Sequence, residues 1–206
     1  DYPGSTIITD SVTSDRLTDF LENDLGLKHL CYMRGYKNVI NKCKELNAEG
    51  IVSPLAMETS GHGCLKENYY LDDGAYLAVK LVIAVAKAKR EGKTIDHFIA
   101  NLCTEYADRE VRFPILTDDF HAYGASVLET FKKRALQSGF ELPKSYEGIR
   151  IRFSDVCTGW MLLRASLHDP VMVLNLEGHT PRDLEIITGI AQSLVEGFDK
   201  LDLSAL

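Results

Sequence analysis

Three short polar segments of this chain carry side chains that could bind or transform a small ligand. The first covers residues 58–63, where a carboxylate, two hydroxyls and an imidazole occur in the order Glu-Thr-Ser-Gly-His-Gly. Such groups hydrogen-bond to sugar hydroxyls or transfer protons, and the two glycines leave the loop open to a ligand. Loops that follow strands of an α/β sheet are common ligand sites, although the same residues also suit an ordinary polar turn with a surface histidine.

The other two segments carry groups that could bind an anion. Residues 34–38 (Arg-Gly-Tyr-Lys-Asn) place a glycine at a helix start beside the mobile positive charge of Lys37, which favours a phosphate. Residues 164–170 (Arg-Ala-Ser-Leu-His-Asp-Pro) offer the planar guanidinium of Arg164, and Ser166, His168 and the turn amides could complete an anion-binding nest. From the residues alone, a turn with a solvated lysine and a hairpin with an exposed arginine are the alternatives.

Alternating strand and helix signals in the first half of the chain position the first two segments. Strand signals cover residues 6–9, 28–33 and 51–57, and helix signals cover 15–21, 38–46, 73–90 and 95–102. This order predicts a three-layer α/β/α domain with a mixed sheet. The helix that ends at Arg90 begins after a cap at Asp72 or Asp73. It is apolar almost all round, which predicts that it is deeply buried.

The second half of the chain has a different pattern. A long amphipathic helix is predicted over residues 120–135, and three strands over 149–153, 159–165 and 171–176. A final helix begins after Thr180, with Asp183 in the position of a reciprocal cap. Consecutive strands between two helices predict a small α+β domain with an antiparallel sheet and flanking helices. We therefore expect two domains, residues 1–116 and 117–206.

Composition excludes several classes of function. The net charge of the 206 residues is −7, so neither nucleic acid nor an anionic membrane is an expected partner, because both require a basic surface. The longest apolar run, residues 75–86, is interrupted by Lys80 and is too short to span a bilayer. The five cysteines are widely spaced and odd in number, which is typical of reduced thiols in a cytoplasmic protein. No acidic or Cys/His cluster predicts a metal site in this chain.

Taken in order, these segments resemble the α-D-phosphohexomutase family, the phosphoglucomutases and phosphomannomutases. Residues 7–15 look like the start of that family's third domain. Residues 58–62 are similar to its sugar-recognition loop, commonly G-E-x-S-G-H, with Met57 in place of the first glycine. Residues 35–37 match its G-x-K element, and residues 73–74 match the D-G that follows the sugar loop.

The third segment resembles the phosphate loop of the family's fourth domain, commonly R-x-S-G-T-E-P. Arg164 and Ser166 match this pattern, whereas Leu167, His168 and Asp169 replace its glycine, threonine and glutamate. The resemblance spans nearly the whole chain but only the C-terminal half of the family architecture. It implies that this chain is a two-domain piece of a longer enzyme. The missing N-terminal domains would carry the phosphorylatable serine and an acidic Mg²⁺ loop.

The resemblance implies a reaction that interconverts hexose 1-phosphate and 6-phosphate through a phosphoserine and a bisphosphorylated sugar, with Mg²⁺ bound outside this chain. Lys37 and His62 would lie near the reacting end of the substrate. Substrate contacts to the sugar hydroxyls and the non-reacting phosphate would come from the remaining matched residues: Glu58, Ser60, Gly61, Arg164, Ser166, His168 and Asp169. Without its missing domains, the chain is expected to be inactive.

Two other classes of function fit the same sequence. The chain could be a non-catalytic phosphosugar-binding or regulatory module, because recognition loops alone do not require turnover. It could also be a structural partner domain. Titration with a ligand would distinguish this class from the enzyme and from the binding module. An upstream serine loop and acidic loop in the reading frame would favour the enzyme.

Overall fold

The computed structural model describes residues 2–166 and 169–206, and the chain divides into two compact units. Unit 1 is Asp1–Cys103 and unit 2 is Thr104–Leu206. The sequence prediction had placed the division after residue 116 instead. The difference arises because the strand over Ala107–Pro114 pairs along its whole length with the strand over Val171–Gly178, and so belongs to the second sheet.

Unit 1 is built around a mixed sheet. Within residues 2–103 its elements are β1 (Thr6–Asp10), α1 (Asp15–Asp19), β2 (Lys28–Tyr32), α2 (Tyr36–Ala48), β3 (Leu55–Met57), β4 (Gly63–Leu65) and α3 (Gly74–Arg90). The strand order is β2-β1-β3-β4, with β1 parallel to both of its neighbours and β4 antiparallel to β3. Parallel neighbours require crossover connections, which the helical segments supply, whereas a short turn joins β3 to β4. The predicted mixed α/β sheet is confirmed.

Helix α2 covers one face of this sheet because its apolar residues recur at helical spacing. Val39, Ile40, Cys43 and Leu46 are buried on α2, and they form one core cluster with Ile8, Ala56 and Cys64 of the strands. Alternation along β1 turns Ile7 toward the opposite face. Helix α2 therefore anchors the strand ends that carry the first two polar segments.

Helix α3 differs from its prediction. Its only buried residue in the described structure is Ala88, near the C-terminal end, whereas Val79 is 58% and Val82 66% exposed. A pattern that is apolar on every side indicates that all sides can be buried, but it does not specify which element buries them. The prediction of a deeply buried helix is therefore wrong for this chain.

Unit 2 is a two-layer α+β structure. Within residues 104–166 and 169–206 its elements are β5 (Ala107–Pro114), α4 (Phe120–Gln137), β6 (Ile149–Phe153), β7 (Gly159–Ala165), β8 (Val171–Gly178) and α5 (Pro181–Val195). The sheet order is β5-β8-β7-β6, and every neighbouring pair is antiparallel. The predicted antiparallel sheet with flanking helices is confirmed.

The core of unit 2 lies between its sheet and its two long helices. Phe131 of α4 and Ile187 of α5 are fully buried in one cluster with Phe113, Met161 and Leu174 of the strands. Every second residue of a strand faces the helices, and Ile151 and Phe153 of β6 contribute to this core in that way. Of the helices formed by the described residues, none combines the length and apolar character needed to cross a bilayer.

Candidate functional site

The polar segments of unit 1 meet at one edge of its sheet. Strands β1, β2 and β3 are parallel, so their carboxyl ends lie together. Asp10 ends β1, the segment 34–38 follows β2, and Glu58 follows β3 directly. In open α/β sheets this edge is the usual ligand-binding edge, because loops there combine exposed backbone with polar side chains.

The segment 58–62 forms a tight turn that closes the β3–β4 hairpin. The Glu58 amide donates to the His62 carbonyl at 2.8 Å, and the Gly61 amide donates to the Glu58 carbonyl at 2.9 Å. Gly61 has a φ of +89°, which favours glycine. At Gly63 a Cβ atom would stand 2.4 Å from the Ala56 carbonyl oxygen, so a larger residue would separate the two strands. Both glycines are therefore needed for the shape of the turn.

The Glu58 carboxylate joins two of the predicted segments. Its side chain is buried, and Oε1 accepts a hydrogen bond of 2.6 Å from the Gly35 amide at the start of α2. The other oxygen, Oε2, accepts from the Ser60 hydroxyl at 3.3 Å. A carboxylate can accept further hydrogen bonds, so this group can bind a sugar hydroxyl while the Gly35 amide fixes its position.

A second buried carboxylate supports the same turn from β1. Asp10 is completely buried and accepts hydrogen bonds from the hydroxyls of Thr59, at 2.8 Å, and Thr13, at 2.9 Å. The Thr59 amide also donates to Asp10 at 3.4 Å. The local sequence pattern predicts no site role for Asp10, although its position at the end of a β-prone stretch is a usable signal.

The two residues expected near the reacting end, Lys37 and His62, both lie close to the Tyr36 ring. The rings of Tyr36 and His62 have centroids 5.5 Å apart. Lys37 Nζ is 5.9 Å from the centroid of the Tyr36 ring. All three residues are exposed, so the imidazole and the ammonium group are accessible to a ligand at this edge.

Two adjacent aspartates after β4 have different roles. Asp73 caps α3, as predicted, and accepts from the Tyr76 amide at 2.9 Å. That hydrogen bond, with a second from Asn68, holds the pKa of the Asp73 carboxyl below its usual value. Asp72 instead contacts His62 Nδ1 at 2.8 Å. The sequence predicts only a capping role for Asp72, because nothing in the local pattern shows that a residue ten positions after His62 returns to the turn.

The phosphate-loop candidate of unit 2 lies between β7 and β8. Arg164 is buried, which excludes the alternative of an exposed arginine, and its guanidinium is 3.5 Å from the Glu147 carboxylate. The Ser166 hydroxyl accepts a hydrogen bond of 3.2 Å from the Asp169 amide. His168, also predicted for this site, lies outside the described residues. The described part of the loop therefore provides a guanidinium, a hydroxyl and a turn amide close together in the chain.

Among residues 2–166 and 169–206, no group of three or more His, Cys, Asp or Glu side chains could hold a metal ion. The five cysteines are free thiols, and only Cys103 is exposed. Cys43 and Cys64 interact inside unit 1, where the hydrogen bond from Cys64 lowers the pKa of Cys43 to about 7. A magnesium ion prefers carboxylate and other oxygen ligands, and neither these thiols nor a cluster of the described carboxylates provides such a set.

A mixed α/β sheet with a Glu-x-Ser-Gly-His turn at its ligand edge, followed by an antiparallel α+β unit, is the arrangement expected of a phosphohexomutase. Residues 1–106 match the family model for phosphoglucomutase/phosphomannomutase, alpha/beta/alpha domain III. The chain belongs to the phosphoglucomutase/phosphomannomutase family.

Relatives match the chain over both units. It is 28% identical over 198 residues to the phosphomannomutase/phosphoglucomutase of Pseudomonas aeruginosa, which covers 96% of this chain and 39% of that protein. It is 30% identical over 189 residues to the enzyme of the same name from Pseudomonas syringae pv. tomato, covering 91% of this chain and 37% of that protein. The chain thus spans well under half the length of these relatives.

Solved structures share the fold. A phosphoglucomutase/phosphomannomutase family protein from Burkholderia thailandensis superposes with a TM-score of 0.74 at 23% identity, over 95% of this chain and 38% of that one. An Aspergillus fumigatus N-acetylphosphoglucosamine mutase, solved with GlcNAc-6P and magnesium, superposes with a TM-score of 0.53 at 13% identity. That match covers 95% of this chain and 39% of the fungal chain.

Proposed function

We propose that this chain is the substrate-recognition part of a phosphohexomutase that interconverts hexose 1-phosphate and hexose 6-phosphate. The observation that carries the proposal is the buried Glu58 carboxylate, which the Gly35 amide holds at 2.6 Å at the ligand edge of the unit 1 sheet. Membership of the family supports the same assignment. The proposal includes a cytoplasmic location, in keeping with the five free thiols.

Unit 1 recognises the sugar. Glu58 accepts hydrogen bonds from sugar hydroxyls, and the Ser60 hydroxyl, 3.3 Å from the same carboxylate, can donate to or accept from them. Gly61 lets the ligand approach the backbone of the turn, because it has no side chain. A buried, prepositioned carboxylate loses little freedom on binding, which favours affinity.

Lys37 and His62 act near the reacting end of the sugar phosphate. The Lys37 ammonium offers positive charge to a phosphate, and the His62 imidazole can accept a hydrogen bond or a proton from a sugar hydroxyl. Both side chains lie within about 6 Å of the Tyr36 ring, so the two groups are near each other at this edge.

Unit 2 binds the phosphate that does not react. Arg164 supplies a guanidinium for bidentate contact, and Ser166, His168 and Asp169 complete the loop. The Glu147 carboxylate, 3.5 Å from the Arg164 guanidinium, helps to hold that group beside the loop. A guanidinium and a hydroxyl can hold a phosphate without contacting the rest of the sugar. The substrate can then bind in either orientation, as the mutase reaction requires.

The remaining parts of the reaction belong to the missing N-terminal domains. The phosphoserine, the Mg²⁺ ion and the transfer of the phosphoryl group through a hexose bisphosphate would all involve residues outside this chain. Mg²⁺, when bound there, would neutralise charge on the transferring phosphoryl group. The residues of this chain bind and orient the sugar phosphate.

Calorimetric titration of the 206-residue chain with glucose 1-phosphate and mannose 1-phosphate tests this proposal. We expect weak binding of at least one sugar phosphate and no turnover by the chain alone. Glu58→Gln should weaken binding roughly 10- to 150-fold, because a hydrogen bond to a charged group contributes about 1.5–3 kcal/mol. Glu49→Gln, at the exposed end of α2, is the matched control. Absence of binding, or equal loss in both variants, would overturn the proposal.

A further inference from the structure

We infer that Asp72 is a positioning residue that fixes the ring orientation and the proton position of His62. The role of His62 toward a sugar hydroxyl rests on the proposed function, whereas its contact with Asp72 does not. Asp72 Oδ2 lies 2.8 Å from His62 Nδ1, and Asp72 Oδ1 accepts a hydrogen bond of 3.1 Å from the Gly63 amide. Both carboxylate oxygens are therefore engaged, one with the imidazole and one with the backbone beside it.

The backbone of Asp72 is itself held in place. Asp72 forms an isolated antiparallel bridge with Cys64 of β4, and the next residue, Asp73, caps α3. Asp73 also accepts a hydrogen bond of 3.1 Å from the Asn68 side chain. Because the backbone at Asp72 is held by these contacts, its carboxylate can restrain an exposed ring better than a side chain on an unrestrained loop can.

The His62 ring is restrained from a second direction. Its side chain is 60% exposed, yet the Tyr36 ring lies 5.5 Å away, centroid to centroid, and is tilted by 35°. Tyr36 belongs to the first turn of α2 and Asp72 lies in the segment before α3, so the imidazole is contacted from two separate parts of the chain. The ring keeps one orientation while remaining accessible to a ligand.

The chemistry of a carboxylate determines where the imidazole proton lies. An ionised carboxylate only accepts hydrogen bonds, so His62 Nδ1 must carry the hydrogen in this contact. In the neutral ring, Nε2 is then the atom that accepts a hydrogen bond or a proton from a sugar hydroxyl. If Nε2 takes up a proton, the Asp72 carboxylate stabilises the imidazolium without becoming protonated itself. In the proposed reaction the sugar oxygen bonds to the phosphorus of the phosphoserine while the bond from that phosphorus to the serine oxygen breaks. The hydroxyl proton moves to Nε2 in this step and returns to the sugar oxygen when the reaction reverses.

Nitrogen-15 NMR of the histidine rings tests this inference on the chain as it stands. At alkaline pH, where imidazoles are neutral, His62 should be in the Nδ1–H tautomer, and His62→Gln assigns its signals. Asp72→Asn should shift His62 towards the Nε2–H tautomer, because the amide can present a donor to Nδ1. Asp73→Asn, which changes the neighbouring carboxylate, should leave the tautomer unchanged. An Nε2–H tautomer in the native chain, or equal shifts in both variants, would overturn the inference.

Kinetics of the mutase that contains this chain separate positioning from binding. Asp72→Asn should lower kcat by roughly 10²- to 10⁴-fold, the range for loss of general acid–base catalysis, with KM changed less than about 3-fold. Asp72→Glu should recover part of kcat if it restores the contact with Nδ1. If Asp72→Asn changes the His62 tautomer but leaves kcat unchanged, Asp72 positions the ring, and the proposed role of His62 in the reaction is contradicted. A rise in KM alone would contradict the inference, because it would place Asp72 in substrate binding.

Discussion

Helix α5 of unit 2 and helix α3 of unit 1 are both rich in apolar residues, yet they are packed differently. Helix α5 buries one stripe, Ile187, Ala191, Leu194 and Val195, against its sheet. Helix α3 buries only Ala88 among its described residues. A stripe specifies the face that meets a sheet, whereas an all-round apolar pattern specifies no face.

The same contrast separates the cores of the two units. The core of unit 2 gathers residues from four strands and both long helices, whereas the core of unit 1 is the cluster between α2 and its sheet. The candidate sugar site lies at the end of that smaller cluster and depends on α2, β1 and β3. Its geometry therefore does not require α3 to be covered, and substitutions on α2 and α3 should have different effects.

The largest effect is expected in the core of unit 2. Phe131→Ala should lower the free energy of unfolding of unit 2 by about 3–5 kcal/mol, because it removes a large, fully buried side chain and leaves a cavity. The single tryptophan, Trp160, is buried in unit 2, so its fluorescence during urea unfolding reports on this unit. A loss below about 1 kcal/mol would mean that Phe131 is not a core residue.

A smaller effect is expected at Asp10, the buried carboxylate that accepts a hydrogen bond from Thr59 in the turn after β3. Asp10→Ala should destabilise unit 1 by about 1–3 kcal/mol, because the hydroxyls of Thr13 and Thr59 lose their acceptor. It should also weaken binding of glucose 1-phosphate, since Thr59 follows Glu58 in the turn. Hydrogen exchange of the Thr59 amide measures the first effect and calorimetry the second. Asp19→Ala, an exposed carboxylate of the same unit, should change neither.

The cap of α5 predicts a moderate effect that depends on pH. The Thr180 hydroxyl donates to the Asp183 carboxylate at 2.6 Å, and this bond is the main cause of the lowered pKa of Asp183. A carboxyl with a lowered pKa adds stability that is present above its unfolded value of 3.8 and is lost as pH falls through the folded value.

Thr180→Ala should therefore destabilise unit 2 by about 1 kcal/mol near neutral pH, the usual loss for an N-cap. The difference between the urea midpoints of the native chain and the variant should narrow as pH falls below 3.8 and through the lowered pKa of the folded Asp183 carboxyl. A gap that does not change with pH would show that the Asp183 carboxylate does not contribute to the cap.

The smallest effect is expected on the exposed face of α3. Val82→Ala should change the stability of unit 1 by less than about 0.5 kcal/mol, because the side chain is 66% exposed. Val39→Ala on α2, fully buried, is the matched substitution and should cost about 1–3 kcal/mol. Equal losses at the two positions, measured by hydrogen exchange of the β1 amides, would show that α3 is packed like α2.

The sequence predicted the parts of the molecule that local patterns determine. The strand β6, the stripe of α5 and the reciprocal cap of Thr180 and Asp183 each depend on residues a few positions apart, and each is present. The alternation expected in β6 holds only in part, because Arg150 is buried as well as Ile151 and Phe153. The joining of Gly35 to Glu58 could be anticipated only in part, from the rule that parallel strands end at one edge. The pairing of β5 with β8 links residues far apart in the chain, so local patterns do not indicate that residues 107–114 join the second sheet.

The details of the candidate site were harder to predict, for a related reason. Asp10 and Asp72 hold the turn after β3 from distant positions in the chain. In a sequence, an isolated aspartate fits a helix cap or a solvated surface equally well. The environment of α3 depends on what surrounds the helix rather than on its own residues. Propensity and periodicity describe one element at a time, and these features arise between elements.

In the proposed function, the turn after β3 binds the sugar and the loop after β7 binds the phosphate. Amide NMR of the chain with glucose, inorganic phosphate and glucose 1-phosphate tests this division most directly. Glucose should shift the amides of residues 58–63, phosphate those around Arg164 and Ser166, and glucose 1-phosphate both sets. Phosphate shifts confined to residues 34–38, or no shift at either loop with glucose 1-phosphate, would contradict the account.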